Sequence, residues 1–468
     1  MSNASSPIHL RDYQRKMIDD ISLTWECHKC RKKVMAQLPT GGGKTVIFSA
    51  IADKFVRRQE RVLVLAHREE LVVQAANKLT DITRSPVGII KAGYSPDPLF
   101  PIQVASVQSM VNRLTHHPNF DLVVIDEAHH STASTYRKIL EAYPNAYQLG
   151  VTATPIRTDG TGFRDLFDAM VCGPTIAELI AQGYLADFTL YADPSPMNTK
   201  GVKTMGGDFS ARDLAKKNDI MQLSGNVVDS YRRHADGKRC LVFALNVAHS
   251  KAIADRYNAA GIPAVHLDGD TPNEERKEAL RLFAEGKIKV ITNCSLFAEG
   301  LDIPAIDAVQ IARPTKSLGL WLQIIGRALR LALGKSKAII IDHTNNSKMH
   351  GLPTRRRIWT LDGVEYPDEA KKPKRKPQED TEVEPVEVVE APVQLVAIAE
   401  PTEEEQWLTW LQDLITFAKN RKYSDGWVYH KLMEEKPPLF VFQAYGKLKG
   451  YKPAWAIYKY QEAHGIAA

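Results

Sequence analysis

Cysteine and long apolar runs are both scarce in this sequence, and each scarcity excludes a class of protein. Five cysteines among 468 residues cannot supply a disulfide-based scaffold, and they suit a reducing compartment. No apolar run approaches the ~18 residues that a membrane-spanning helix requires. Residues 1–6 have neither the basic nor the apolar region of a signal peptide. We therefore expect a cytoplasmic protein that makes no contact with a membrane.

Positive charge is absent from one segment, and this absence divides the chain. The 61 Lys and Arg exceed the 55 Asp and Glu by only 6, yet residues 377–405 carry ten acidic side chains and no Lys or Arg. The rest of the chain therefore carries a net charge of +16. Because four prolines and charge repulsion disfavour a core there, we predict a basic, then acidic linker over 351–405, extended over about 366–405. An acidic mimic of nucleic acid is the alternative interpretation.

Short apolar runs alternate with amphipathic stretches in two successive parts of the chain. Such buried strands between helical patterns predict parallel sheets that are covered on both faces. The predicted strands are 34–38, 62–66, 103–106, 122–125 and 148–152, then 240–244, 264–267, 289–292, 308–311 and 338–341. We expect two α/β domains, at 1–188 and 189–350, which bind ligands beyond the carboxyl ends of their strands.

A glycine-rich turn follows the first predicted strand and precedes a helical pattern. Consecutive backbone amides and a helix N-terminus favour phosphate binding. We expect ATP to contact Thr40, Gly41, Gly42, Gly43, Lys44 and Thr45. Lys44 would reach the β- and γ-phosphates, and the Thr45 hydroxyl would ligate Mg²⁺. The sequence has Leu38 where the general pattern of this loop has glycine.

Two adjacent carboxylates, Asp126 and Glu127, follow the apolar strand at 122–125. Buried carboxylates are unfavourable without partners, which argues against a purely structural role. Asp126 is expected to hold Mg²⁺ together with Thr45, and Glu127 to orient and deprotonate the attacking water. His129 is assigned to the same catalytic set. An acidic strand cap is the alternative.

Gln323, Arg327 and Arg330 are spaced i, i+4 and i+7, which predicts one face of a helix that starts near Ser317. Two guanidinium groups on one face suit phosphate, and we expect them to stabilise transition-state charge. They would complete the site only when ATP closes the cleft between the domains. An ordinary charged surface is the alternative, but the apolar neighbours of these residues argue against it.

These motifs occur in the order found in superfamily 2 helicases and translocases of the DEAH type, which the chain resembles over residues 10–345. Other stretches are similar to further motifs of that family: LRDYQ at 10–14, VLAHREEL at 64–71, ASVQ at 105–108, VTATP at 151–155, LVFALN at 241–246, HLDGD at 266–270, ITNCS at 291–295 and EGLD at 299–302. The resemblance implies two tandem RecA-like domains, with ATP and Mg²⁺ as cofactors.

The same resemblance implies roles for individual residues. Arg11 and Gln14 would read the adenine base, and Gly300 and Asp302 would join the nucleotide site. Nucleic-acid contacts are implied for His67, Arg68, Ser106, Gln108, Asn246, Thr292 and Asn293. Thr152 and Thr154 would couple hydrolysis to movement.

TATP at 152–155 and QIIGR at 323–327 look like the DNA-acting branch that includes RadD-like repair proteins and restriction-enzyme motor subunits. RadD relatives also carry a cysteine-rich zinc module, for which this chain has no cysteine beyond Cys294. The implied function is an ATP-dependent DNA helicase or translocase, in repair or recombination of branched or single-stranded-gap DNA. An RNA helicase, a motor subunit of a restriction or defence complex, and a non-hydrolysing repair scaffold remain open.

The segment 406–468 is unusually aromatic and carries nine Lys and Arg against five Asp and Glu. We predict a small helical accessory domain, whose aromatic side chains form a core, stack on bases, or do both. Residues 423–427 and 451–455 are similar to the C-terminal module of RadD-like proteins. DNA and single-strand-binding or recombination proteins are the expected partners of this tail.

Overall fold

The computed structural model describes most of the chain, and the described residues form two compact units. Described are residues 10–27, 32–67, 69–94, 97–116, 119–130, 134–157, 162–192, 199, 201–205, 207–217, 220–294, 296–297, 306–332, 334–364, 396–398, 402–420 and 423–466. The first unit holds those up to Thr354, with Thr360–Gly363 and Val396–Ile398. The second unit holds Arg355–Trp359, Val364 and residues from 402 onward. Within these ranges, no helix is long and apolar enough to cross a membrane.

The first sheet has seven strands in the order β3-β4-β2-β5-β6-β1-β7, and its neighbouring strands pair in parallel. They are β1 (Lys33–Gln37), β2 (Val62–Ala66), β3 (Val87–Ile90), β4 (Ile102–Ser106), β5 (Leu122–Asp126), β6 (Tyr147–Thr152) and β7 (Ala169–Cys172). Successive side chains of a strand point to opposite faces. In β2, Val62 and Val64 accordingly join one core while Leu63 and Leu65 join the other. Burial on both faces explains the continuous apolar runs in the sequence.

Helices accompany this sheet along the chain. They are α1 (Asp12–Cys27), α2 (Lys44–Arg57), α3 (Glu69–Thr83), α4 (Val107–Val111), α5 (Ser134–Ala142) and α6 (Ile176–Ala181). Helix α2 directly follows the glycine loop, and its buried Ile47, Phe48 and Ile51 pack into the same core as Val62. This packing fixes the N-terminus of α2 at the carboxyl edge of the sheet.

The second sheet also has seven strands, in the order β12-β13-β11-β14-β15-β8-β16. These strands are β8 (Asp187–Ala192), β11 (Cys240–Ala244), β12 (Ala264–His266), β13 (Val290–Asn293), β14 (Ala308–Ala312), β15 (Lys337–Asp342) and β16 (Val396–Ile398). A separate hairpin consists of β9 (Thr204–Met205) and β10 (Asp208–Phe209). The helices are α7 (Ala211–Lys217), α8 (Ile220–His234), α9 (Val247–Ala259), α10 (Asn273–Ala284), α11 (Leu318–Ala328) and α12 (Asn346–His350).

The second unit is a small helical domain. Its helices are α13 (Glu403–Asn420), α14 (Asp425–Glu435), α15 (Leu439–Lys449) and α16 (Pro453–His464). Trp407 and Trp410 are buried in its core, and the Arg356 guanidinium lies 3.5 Å from the Trp407 ring centre. The stretch Arg355–Trp359 therefore belongs to this domain although it lies far upstream of α13 in sequence. The two α/β sheets, which are parallel except for β16, and the helical tail confirm the predicted fold class.

Two of the expected boundaries need correction. Strand β8 crosses the expected boundary between 188 and 189, and it pairs with β15 of the second sheet along its whole length. The second sheet therefore begins at Asp187. Strand β16 falls inside the stretch predicted as an extended linker, and it pairs antiparallel with β8. Its Val-Ala-Ile sequence is apolar, so this part of the acidic segment has the composition of a strand.

The turn Thr360–Gly363 is anchored to the loop that follows β6. Leu361 is 5% exposed and lies in the same core as Phe163. The Phe163 and Arg164 amides donate to the Leu361 carbonyl at 2.6 and 3.0 Å. Arg164 also binds Asp362 through two hydrogen bonds, of 2.7 and 2.8 Å. A turn that follows β15 and α12 in the sequence thus completes the core of the first sheet.

We predict that Leu361→Ala lowers the free energy of unfolding of the first unit by about 2–4 kcal/mol, because it leaves a cavity beside Phe163. Urea denaturation followed by circular dichroism measures this loss. Leu331→Ala, at a side chain that is 50% exposed, is the matched control and should stay within about 0.5 kcal/mol of the parent. Equal effects of the two substitutions would contradict the anchoring role of Leu361.

Candidate nucleotide site and the helix that faces it

The candidate site lies at the carboxyl edge of the first sheet, where three neighbouring strands end. Strand β6 lies between β5 and β1. Gln37 of β1 is opposite Thr152, and Asp126 of β5 is opposite Val151. Because parallel strands end at the same edge, this register brings together the glycine loop, the paired carboxylates and the stretch 152–154.

The glycine loop presents the N-terminus of α2. Gly43 caps α2 with a φ of 89° and supplies no side-chain cap, so it adds no acceptor for the first amides of the helix. Such an N-terminus attracts anions through its amides and its dipole. Leu38 is 1% exposed, and a Cβ atom at Gly42 would lie 2.8 Å from its Cγ. Leu38 therefore replaces the glycine of the general pattern with a core side chain that only Gly42 can accommodate.

Residues at the start of α1 hold the glycine loop from the other side. Gln14 is 3% exposed; its Oε1 accepts from the Arg11 amide at 3.0 Å, and its Nε2 donates to the Gly42 carbonyl at 3.4 Å. The Tyr13 hydroxyl donates to the same carbonyl at 2.6 Å. The Arg11 guanidinium lies 4.4 Å from the ring centre of Tyr184. The sequence interpretation did not include Tyr13 or Tyr184; Tyr13 could have been found from its place beside Gln14.

Charge is concentrated next to this loop. Lys44 Nζ lies 3.4 Å from Glu127 Oε1, and the Glu127 amide donates to Asp126 Oδ1 at 3.0 Å. The pKa of Asp126 is raised to about 6, mainly by burial and then by the neighbouring Glu127, while Lys44 opposes the rise. Glu127 has a φ of 50°, a backbone conformation that is uncommon for a residue with a side chain. Such local strain is often found at functional sites.

His129 connects this charge cluster to the second sheet. Its Nδ1 lies 3.1 Å from Thr152 Oγ1 and 3.4 Å from Glu127 Oε2, and its Nε2 lies 3.3 Å from Gln323 Nε2 on α11. The Thr152 hydroxyl also accepts from the Thr154 amide at 3.2 Å. A path of polar contacts therefore runs from the 152–154 stretch through His129 to α11.

Helix α11 approaches the first sheet closely because two of its residues are glycines. A Cβ atom at Gly326 would lie 2.5 Å from Thr40 Cβ, and one at Gly319 would lie 3.1 Å from Thr154 Oγ1. The helix begins after Ser317, whose hydroxyl accepts from the Leu320 amide at 3.1 Å. Any larger side chain at position 326 would push α11 away from the glycine loop.

The arginines of this region are placed differently from the prediction in one respect. Helix α11 ends at Ala328, so Arg330 lies beyond it and cannot share a helical face with Gln323 and Arg327. The chain turns after Leu329, yet a Cβ atom at Gly41 would lie 3.7 Å from Arg330 Cγ. Gln323 and Arg327 are each 4% exposed. Arg330 thus still reaches the glycine loop, from a turn.

The donor atoms of this site fit a nucleotide phosphate with a divalent cation. Glu127 Oε2 and Thr154 Oγ1 are buried and accept or donate no hydrogen bond among the described residues. Mg²⁺ prefers oxygen ligands, such as those of Asp126 and Thr45. Its coordination is usually completed by phosphate oxygens of the substrate and by water. The described part of the chain has no cluster of three His, Cys, Asp or Glu that could hold a metal by itself.

The residues expected to contact nucleic acid fall into two groups. Gln108 is exposed and His67 partly exposed, both just beyond strand ends of the first sheet. Asn246 caps α9 by accepting from the His249 amide at 2.8 Å. Side chains that are buried and engaged in internal hydrogen bonds, and so not available for such contact in this structure, are those of Ser106, Thr292 and Asn293. Arg68, Gly300 and Asp302 lie outside the described residues.

Comparison with known proteins places both halves of the first unit. Residues 7–157 match the family described as type III restriction enzyme, res subunit, and residues 217–332 match the helicase conserved C-terminal domain. A 51.5 kDa protein of a Lactococcus phage is 37% identical over 327 residues, which are 69% of this chain and 68% of that protein. The proposed ATP-dependent helicase IRC3 of Saccharomyces cerevisiae is 32% identical over 365 residues, which are 74% of this chain and 52% of the yeast protein.

A third relative is named a DNA 3'-5' translocase, XPB2, of Sulfurisphaera tokodaii. It is 26% identical over 361 residues, which are 69% of this chain and 79% of that protein. Among solved structures, a fragment of a proposed HsdR subunit of a type I restriction enzyme from Vibrio vulnificus has a TM-score of 0.56 at 23% identity. The match covers 74% of this chain and 68% of that chain, and at this identity it establishes the fold alone.

We predict that Gly326→Ala reduces turnover of ATP about tenfold, because the added methyl group would separate α11 from Thr40. Steady-state ATPase assays provide the measurement. Gly426→Ala on α14 is the matched control, since the nearest atom to its Cβ would be Ser424 Oγ at 3.5 Å. Turnover within twofold of the parent for Gly326→Ala would contradict the close approach.

Proposed function

We propose that this chain, which belongs to the superfamily 2 helicases and translocases and is an ATPase of that family, is a motor that moves on or remodels DNA. The observation that carries the proposal is the meeting of Lys44, Asp126 and Glu127 with α11 at one edge of the first sheet. Phosphate-binding, acidic and arginine-bearing elements come together there from distant parts of the sequence. This arrangement fits hydrolysis coupled to the relative movement of two domains.

In the proposed reaction, the chain binds ATP through the glycine loop and the N-terminus of α2. Lys44 neutralises phosphate charge; Thr45 and Asp126 would hold Mg²⁺, which would supply further neutralisation of that charge. Glu127 orients the attacking water and accepts its proton, and the neighbouring Lys44 and His129 keep its carboxylate in position.

Arg327 and Arg330 stabilise the charge that develops during phosphoryl transfer. Their approach requires α11 to lie against the glycine loop, as Gly326 allows. The contact between Gln323 and His129 then links the position of α11 to the 152–154 stretch, because His129 also contacts Thr152. Separation of α11 from the loop after hydrolysis would move the nucleic-acid contacts of the two domains relative to each other.

DNA is the proposed substrate, in the repair or recombination of branched or single-stranded-gap DNA. A relative named as a DNA translocase and the match to a restriction-enzyme subunit support DNA over RNA. The role in repair rests on the resemblance of the motifs and the tail to RadD-like proteins. Because the chain spans about half of the yeast relative, any partner protein is also part of the proposal.

We predict that Lys44→Ala and Glu127→Gln each lower the ATPase rate by about a hundredfold or more, through loss of phosphate neutralisation and of the general base. Lys54→Ala on α2 and Glu274→Gln on α10 are matched controls, because both side chains are exposed in surface ion pairs. Unchanged turnover in Lys44→Ala and Glu127→Gln would refute the assignment of the catalytic site.

The substrate is tested by stimulation of the ATPase with single-stranded, duplex, forked and four-way DNA and with RNA. Stimulation by DNA alone, strongest with branched forms, supports the proposed role. Stronger stimulation by RNA would identify an RNA helicase. Stimulation only after addition of a partner subunit would favour the motor of a restriction or defence complex, and tight binding without hydrolysis would favour a scaffold.

The second unit is proposed to bind DNA or a partner protein in addition to the motor. Lys447 and Lys452 are exposed and lie close in sequence to Tyr451 and Tyr458, which are 43% and 56% exposed. Exposed aromatic rings between cations suit stacking of bases and contact with phosphate.

We predict that Lys447→Ala together with Lys452→Ala weakens binding of single-stranded DNA and reduces the slope of log affinity against log salt by about 1.4. Titration at several salt concentrations measures both changes. Lys277→Ala, on an exposed residue of α10, is the control. Point substitutions are preferable to truncation, since Arg355–Trp359 belongs to the second unit and Thr360–Gly363 to the first. An unchanged slope would exclude these lysines from the DNA interface.

A further inference from the structure

Lys335 lies at a point where the ends of two functional segments meet. Its ammonium donates to the Ile306 carbonyl at 2.7 Å, to the Arg330 carbonyl at 3.0 Å, and to the Ala328 carbonyl. All three N–H bonds of the ammonium are therefore used by backbone carbonyls. No motif of the sequence singled this lysine out.

The three carbonyls belong to elements that carry the second domain's part of the site. Ala328 is the last residue of α11, where carbonyl groups have no partner within the helix. Arg330 is two residues further, and its side chain reaches Gly41. Ile306 precedes β14 and follows Asp302 by four positions in the sequence. A cation also interacts favourably with the negative end of a helix dipole.

We propose that Lys335 is a positioning residue, which fixes the turn bearing Arg330 to the end of α11 and to the start of β14. The proposal rests on the function proposed above, because it assigns to Lys335 the task of presenting Arg330 to the glycine loop. Since Arg330 lies outside the helix, hydrogen bonds within α11 do not hold it, whereas those from Lys335 do.

The charge of Lys335 depends on its surroundings. The pKa of Lys335 is lowered to about 8, mainly by burial; Asp307 opposes this shift, and Arg239 adds to it. Asp307 is itself paired with Arg239 at 3.2 Å. Above pH 8 the neutral amine has two N–H donors for three carbonyls, so the hold on the turn weakens. ATP turnover is therefore expected to fall as the pH rises through about 8.

Global unfolding would not explain such a fall. The pKa of Lys335 is lower in the folded protein than the ordinary value of 10.5. Between these two values the unfolded chain binds more protons, so this group makes the folded state more stable as the pH rises. Loss of activity without loss of stability is the signature expected of a positioning role.

The experiment compares Lys335→Met, Lys335→Arg and the control Lys337→Met, whose parent side chain pairs with Asp187 at the surface. For Lys335→Met we expect kcat to fall about tenfold at pH 7 with KM for ATP changed less than about twofold, since the loss concerns the transition state. The decline above pH 8 should disappear in that variant. Lys335→Arg should restore most of kcat at pH 7 and move the decline to higher pH.

A kcat for Lys335→Met within twofold of the parent, or an unaltered decline above pH 8 in both variants, would overturn the proposal. Circular dichroism establishes whether each variant is folded. If Lys335→Met is not folded, the pH profile of Lys335→Arg decides. The Lys44→Ala variant separates this outcome from failure of the proposed function: an ATPase that needs Lys44 but not Lys335 refutes only the positioning role.

Discussion

Two consecutive carboxylates at the end of a buried strand are the constraint on which the first domain depends. Asp126 and Glu127 repel each other in surroundings that already disfavour charge, as the raised pKa of Asp126 indicates. Lys44 compensates, but it comes from the other side of β6, so the strands must lie in the order β5-β6-β1. The parallel sheet thus brings Lys44 to the acidic pair, and the same arrangement leaves carboxylate oxygen atoms beside the proposed nucleotide site.

The second domain reaches this site along α11, where two glycines allow its backbone to come close. Gly319 and Gly326 let α11 approach Thr154 and Thr40 more closely than any side chain would permit. Arg330, which would contact the nucleotide, is not held by the helix and is supported by residues outside it. Arg330 follows the helix end, and Lys335 binds the carbonyl groups around it. Two glycines thus allow α11 to approach the first sheet closely, while Lys335 binds the backbone of the turn that bears Arg330.

Local sequence was sufficient to predict the strands that are buried on both faces. It was also sufficient to locate the glycine loop and the acidic pair. Strands β2 and β11 have the predicted bounds because their runs are uniformly apolar. Strand β8 escaped prediction because its side chains alternate between buried and partly exposed, and its partner β15 lies far away in sequence. The contacts of Gly326 and Lys335 depend on tertiary neighbours, which no periodicity records. The expected helical position of Arg330 was wrong because an i+7 spacing does not reveal where a helix ends.

Strand β16 illustrates why average composition misled at the acidic segment. Taken over 29 residues, charge and proline predict an extended tether, but Val396–Ile398 is a short apolar stretch beside the open edge of β8. Unpaired strand edges favour the addition of another strand. The three antiparallel residue pairs between β16 and β8 cover part of the edge of β8. Pairing is decided over a few residues, because each backbone hydrogen bond depends on its immediate neighbours. A segment whose composition disfavours a core of its own can therefore still contribute a strand to a sheet formed by another part of the chain.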